Sequence, residues 1–195
     1  HGYNTASFGK VFHHNDDMAE RSWTIPPWRP KGKQRYHDPN NAHLADPRTG
    51  RGPAYESADV PDNAYADGEI ADRAIQQLHE LAAEEEPFFL GAGFIKPHLP
   101  FNAPTKYWDY YRHEDISLPD NMYRPKDAPD AAMHNWGELR SYYGIPDQGP
   151  LSEETARTLR HGYFAATSYA DAQVGRLLDE LERLGLSDNT IVVLW

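Results

Sequence analysis

Residues 67–94 constrain the fold more than any other stretch. Ile70, Ala71, Ala74, Ile75, Leu78, Leu81 and Ala82 recur at the spacing of one helix face. Asp67 is of a residue type that caps helix N-termini, and Pro87 ends the pattern. The run FFLGAGF (88–94) then shows no polar alternation, which suits a strand buried on both faces. Helix, short turn and buried strand make half of a βαβ repeat. The spacing therefore predicts a helix over 67–84 and an α/β fold with a mainly parallel sheet. The end of the chain repeats the theme. Ser152 is placed to cap a helix from about 153 to 184, whose apolar positions include Leu159, Tyr163, Phe164, Ala166, Val174, Leu177, Leu178 and Leu181. Gly185 suits the residue just past its end, and TIVVLW (190–195) reads as a second buried strand.

Long loops separate these elements. The chain holds 16 Pro in 195 residues, above the usual share of about 5%. Residues 14–66 read as one irregular stretch pinned by Trp23, Trp28 and Tyr36, and residues 95–150 as another, with short helices near 105–112 and 130–142. In α/β folds, sites lie beyond the carboxyl ends of the strands. The net charge of −11 argues against nonspecific binding to nucleic acid or to an anionic membrane, but leaves room for a locally basic pocket. Nothing approaches the roughly 20 apolar residues of a membrane span. Cysteine is absent, which removes disulfides, zinc–thiolate sites and a Cys nucleophile from this chain. His1 stands mid-pattern without an initiator Met, and Trp195 ends an apolar run. Both ends read as cuts within a longer chain, so the lack of a targeting segment is uninformative.

Two segments pair a lysine with a histidine: Gly9-Lys10-Val11-Phe12-His13 and Lys96-Pro97-His98-Leu99-Pro100-Phe101. Such a pair suits a tetrahedral anion. Lysine supplies a compact positive charge with three donors, and histidine donates to an anion or passes a proton near neutral pH. A lone turn lysine is usually solvated, and a histidine among aromatics usually packs. The position of Lys96 and His98 directly after a strand raises that pair above the bland reading, and Pro97 and Pro100 restrict the backbone around His98. His13-His14-Asn15-Asp16-Asp17 has the composition of a metal cluster without its spacing, and residues 14–17 read as loop. Glu84-Glu85-Glu86 reads as a solvated helix end, and Tyr107, Trp108, Tyr110 and Tyr111 as loop-anchoring core rather than a sugar-stacking wall. There is no G-x-S-x-G elbow, phosphate-binding glycine loop or paired-aspartate metal motif. The residues by themselves imply an α/β domain with an anion pocket.

Taken together, the segments resemble a known family. GYNTASFGKVFH resembles the G-Y-x-T-x-x-x-G-K-x-x-H segment of sulfatases, in the iduronate-2-sulfatase-like branch. PFFLGAGFIKPHLPFNAPTKYWDYY is similar to that branch's P-F-F-L-A-x-G-[FY]-x-K-P-H-x-P-F segment. YFAATSYADAQVGRLLDELERLGLSDNTIVVLW resembles the helix and strand before the family's D-H-G metal motif. The three occur in the family's order over nearly the whole chain.

The resemblance implies part of an alkaline-phosphatase-like sandwich, a mainly parallel central sheet with long loops. It also implies sulfate-ester hydrolysis. In the family a Cys or Ser of C/S-x-P-x-R becomes formylglycine, whose hydrated aldehyde attacks sulfur while calcium holds the sulfate oxygens. Carried over by position, Lys10 would bind sulfate, and His13 would hydrogen-bond the formylglycine hydroxyl. His98 would contact sulfate and protonate the leaving alcohol, and Lys96 would help bind the anionic substrate. The formylglycine motif, the early Asp-Asp calcium ligands, the D-H-G motif and a later lysine are missing. All belong outside the two ends of this chain, so residues 1–195 are expected to be a partial catalytic domain. Alone, it is expected to bind no catalytic calcium, hydrolyse no sulfate ester and fold poorly. The substrate class implied is a sulfated polysaccharide or glycosaminoglycan sugar, and the location periplasmic or secreted; oligomeric state is not indicated. The rival readings are a phosphonate or phosphodiester hydrolase of the same superfamily, a non-catalytic protein that binds sulfated glycans, and a plain structural α/β module.

Overall fold

The computed structural model describes residues 2–13, 18–31, 35–135 and 137–195. Its strands are β1 (Asn4–Gly9), β2 (Tyr55–Ala58), β3 (Phe88–Gly93) and β4 (Phe101–Pro104). Its helices are α1 (Ala19–Ser22), α2 (Pro39–His43), α3 (Ala66–Ala82), α4 (Thr105–Trp108), α5 (Gly137–Arg140) and α6 (Glu153–Arg183). The chain divides into two compact units. The first comprises His1–Gln34, Pro61–Lys96 and Tyr169–Trp195, the second Arg35–Val60 and Pro97–Ser168.

In the first unit β1 and β3 pair in parallel, from Asn4 opposite Phe88 to Gly9 opposite Gly93. Side chains alternate along a strand. Ala6 and Phe8 of β1 and Phe88, Leu90 and Ala92 of β3 therefore share a face, and they pack on Ile70, Ala74 and Leu81 of α3. The helix periodicity is as expected, and so is the parallel pairing that makes this an α/β fold. The opposite face of β3 is not buried: Phe89 is 50% exposed and stacks on Trp23 at 6.0 Å between ring centroids. Among the described residues, α3 covers the other face of β3. Trp28 bridges to Phe8, so Trp23 and Trp28 do pin their segment.

The start of α3 differs from expectation. Tyr65 occupies the cap position without a side-chain cap bond, and Asp67 lies inside the first turn with its side chain buried. It is drawn away from capping by a different pair of amides, described below. Tyr169 of α6 closes this end of α3: its hydroxyl donates to the Asp62 carbonyl at 2.8 Å and accepts from the Gly68 N–H at 2.6 Å. The end of α6 follows expectation. Gly185 has φ +69°, and the Leu186 N–H reaches the Leu181 carbonyl at 3.1 Å. The expected strand over 190–195 does not form; these residues join no strand among the described residues, and Leu194 and Trp195 are 85% and 86% exposed. Apolar composition favours a strand only where a neighbouring backbone supplies the ladder.

In the second unit β2 and β4 pair in parallel, Tyr55 opposite Phe101 through Ala58 opposite Pro104. The sequence reading left both inside loops. Each buries a polar side chain, Glu56 in β2 and Asn102 in β4, which breaks the apolar signature. Glu56 accepts from the His37 N–H (2.8 Å), the Asp38 N–H (3.1 Å) and Asn41 Nδ2 (3.0 Å). Asn102 Nδ2 donates to the Arg35 carbonyl at 2.7 Å. Tyr36 anchors the same loop, donating to the Pro53 carbonyl at 2.7 Å and accepting from the Gly52 N–H at 2.9 Å. Tyr107 and Trp108 are buried core, as expected, while Tyr110 is exposed. The helix expected near 105–112 is the single turn α4, and that near 130–142 reduces to a 3-10 turn (Asp130–Ala132) and α5. Ser152 caps α6, its Oγ accepting from the Thr155 N–H at 3.1 Å. Leu159 and Ala166 are buried, whereas Tyr163 and, further along, Leu178 are exposed. Among the described residues no helix is long and apolar enough to cross a membrane.

Candidate functional site at the carboxyl ends of β1 and β3

Two of the four sequence-predicted residues, Lys10 and Lys96, follow the carboxyl ends of paired parallel strands in the first unit. Lys10 is the first residue past β1, and Lys96 follows the end of β3 by three. The strand ends are drawn together by glycine. The Lys10 N–H donates to the Gly93 carbonyl at 2.7 Å. A Cβ on Gly93 would lie 2.3 Å from the Lys10 carbonyl carbon, and one on Gly9 would lie 2.2 Å from the Gly93 oxygen. Gly9 also has φ +76°, a conformation that favours glycine. Only paired glycines let the backbone of Lys10 approach β3 this closely.

Behind Lys10 the chain is held by packing. Val11 covers Gly91, where an added Cβ would lie 3.3 Å from Val11 Cγ2, and Phe12 packs on Trp23 at 5.6 Å between centroids. The Arg29 guanidinium donates to the Phe12 carbonyl. His13, next in line, is exposed. His14, Asn15, Asp16 and Asp17, the stretch read as loop, lie outside the described residues.

Lys96 is held differently. Asp67, 1% exposed, accepts the Ile95 N–H at Oδ1 and the Lys96 N–H at Oδ2, both at 2.8 Å. Burial pushes the Asp67 carboxyl above its usual range. The two N–H bonds and the charge of Lys96 pull the other way without overcoming it. Sequence reasoning named Asp67 for a cap and missed this role. The signal was its place one turn before Ile70 and Ala71, on the apolar stripe itself.

His98 belongs to the second unit. Its Nδ1 lies 2.8 Å from the Leu99 carbonyl, which can only accept, so Nδ1 carries a hydrogen. Its Nε2 faces Glu138 Oε1 at 3.6 Å. Nε2 therefore stands next to a carboxylate that sequence reasoning did not single out. Among the described residues no group of three or more His, Asp or Glu side chains is arranged to hold a metal ion.

Two lysines thus follow one end of a parallel strand pair in a chain of net charge −11, and lysine is a residue type that suits an anion. Iduronate 2-sulfatase of Mus musculus is 33% identical over 205 residues, and that of Homo sapiens is 34% identical over 213. Each alignment takes in 98% of this chain but 37% of the relative, so the chain spans little more than a third of their length. The crystal structure of a phosphonate monoester hydrolase from Silicibacter pomeroyi superposes over 96% of this chain and 43% of its own, with a TM-score of 0.60 and 18% identity. That likeness establishes the alkaline-phosphatase-like fold. The sulfatase family model matches residues 1–195, and the chain belongs to the sulfatase family.

Proposed function

We propose that the full-length protein hydrolyses sulfate esters on sulfated polysaccharide or glycosaminoglycan sugars, with residues 1–195 as part of its catalytic domain. The observation that carries this reading is the exit of Lys10 and Lys96 from the same end of the β1–β3 pair. In it, Lys10 and Lys96 neutralise the sulfate. His13 hydrogen-bonds the nucleophile, and His98 protonates the leaving alcohol from Nε2. Lysine suits the first task as a point charge with three donors, and histidine suits proton transfer near neutral pH. The identity to iduronate 2-sulfatases supports the sugar class; the periplasmic or secreted location is what the family resemblance implies.

Among the described residues nothing is arranged to hold the family's calcium, and the sequence has no residue placed to become formylglycine. No described cluster suits the ion, cysteine is absent, and no serine stands in S-x-P-x-R. In this reading both are supplied by other parts of the full-length protein, and no step is derived through them.

The test is sulfate release from sulfated mono- and disaccharides by the full-length protein, beside Lys10→Ala and His98→Ala. Loss of a hundredfold or more in each variant, with unchanged melting temperature, is the expected outcome. Loss of stability with turnover retained would return both residues to structural roles. Preference for a phosphonate monoester would favour the rival hydrolase, and glycan binding without turnover the non-catalytic reading.

A further inference from the structure

Asp67 presents an unusual arrangement. A carboxylate is costly to bury, and here both its oxygens are spent on two successive backbone amides, Ile95 and Lys96. Asparagine could not replace it, because its amide has a single acceptor oxygen and its NH₂ would confront one of the two N–H groups. Glutamate would carry the carboxylate one methylene too far. The anchor itself is rigid. Asp67 sits in the first turn of α3, where the positive end of the helix favours a carboxylate, and the following turn is packed by Ile70 and Ala71. One of the two amides belongs to Lys96, so the carboxylate fixes the backbone from which that ammonium projects.

We propose that Asp67 is a positioning residue for anion recognition: it sets where Lys96 stands at the carboxyl end of β3. This rests on the role given to Lys96 in the sulfatase reading. A wholly structural Asp67 would matter through stability alone. A positioning Asp67 acts through Lys96, and the two changes must then fail to add.

The experiment is a double-mutant cycle in the full-length protein: wild type, Asp67→Asn, Lys96→Ala and the double variant. Leu78→Ala, which hollows the buried face of the same helix, serves as a stability control. KM and kcat are measured on a sulfate ester, and Kd for inorganic sulfate by calorimetry. Asp67→Asn is expected to raise KM and Kd about tenfold with a smaller change in kcat. The double variant is expected to be no worse than Lys96→Ala. Leu78→Ala is expected to lower the melting temperature and leave KM in place. Amide exchange at Ile95 and Lys96 should quicken in Asp67→Asn beyond its change in global stability. Additive effects, or a KM shift in Leu78→Ala equal to that in Asp67→Asn, would overturn the proposal. If the wild type releases no sulfate but binds it, the hydrolase reading fails and the sulfate Kd values decide this one. If it does neither, both fall.

Discussion

Gly93→Ala is the substitution whose cost follows most directly from the geometry. The added Cβ would stand 2.3 Å from the Lys10 carbonyl carbon, 2.5 Å from its oxygen and 2.5 Å from the Val11 nitrogen. Carbon contacts settle at about 3.5–4.0 Å, so the strand ends must part by about 1 Å. All three atoms are backbone, and none can swing aside. Overpacking of this kind costs about 1–3 kcal/mol. The bond from the Lys10 N–H to the Gly93 carbonyl, now 2.7 Å, would break, at about 1 kcal/mol net. The sum is about 3 kcal/mol, roughly a 150-fold shift in the folding equilibrium at 1.4 kcal/mol per factor of ten. Gly91→Ala, two residues earlier in the same strand, supplies the comparison. Its Cβ would meet Val11 Cγ2 at 3.3 Å and the Trp23 ring at 3.6 Å, side-chain atoms with room to shift. Its cost should stay below about 1 kcal/mol. Denaturant midpoints of the two variants in the full-length protein test this. Equal costs would refute the argument that close approach of Lys10 to β3 is what requires glycine.

Ser152→Ala removes the cap of α6 and should cost about 1 kcal/mol by denaturant unfolding, while Ser152→Asp should cost little, because aspartate accepts the same N–H. Tyr36 provides a pH test. Burial pushes its phenol up from 10.0 to about 12, so the folded chain keeps a proton that the unfolded chain releases. Its stabilising contribution is whole below pH 10 and is lost as pH rises toward about 12. Unfolding midpoints across that range should fall less steeply in Tyr36→Phe than in wild type. A residual slope is expected, since burial also raises Tyr142. Identical slopes would remove Tyr36 as a cause.

What the sequence made legible was periodicity and punctuation. The apolar stripe of α3, the cap at Ser152 and the stop at Gly185 are each set by neighbours within a few residues, and each formed as read. What stayed hidden depends on partners far away in the chain. β2 and β4 carry Glu56 and Asn102 at buried positions because a distant loop supplies their hydrogen bonds, and no local pattern announces that. Asp67 looked like a cap because aspartate beside a helix start usually is one; its actual partners lie beyond β3. Residues 190–195 are the opposite case, a run with the composition of a strand and no partner strand among the described residues.

The site shows how the two kinds of information combine. Lys10 and Lys96 share no local signal; parallel pairing brings them to one end. Its register is not arbitrary. A slip of one residue would turn Ala6 and Phe8 away from Ile70, Ala74 and Leu81, exposing the apolar face that holds the unit together. The same slip would move Gly9 from opposite Gly93 and place the Cβ of Phe8 or Lys10 at the tightest point of the pair. Core packing and glycine placement therefore select one register independently. That register delivers a lysine to the strand end. The ammonium's address is a consequence of how the apolar residues behind it are buried, which is why the Lys–His motifs carry meaning only in combination with FFLGAGF and the helix before it.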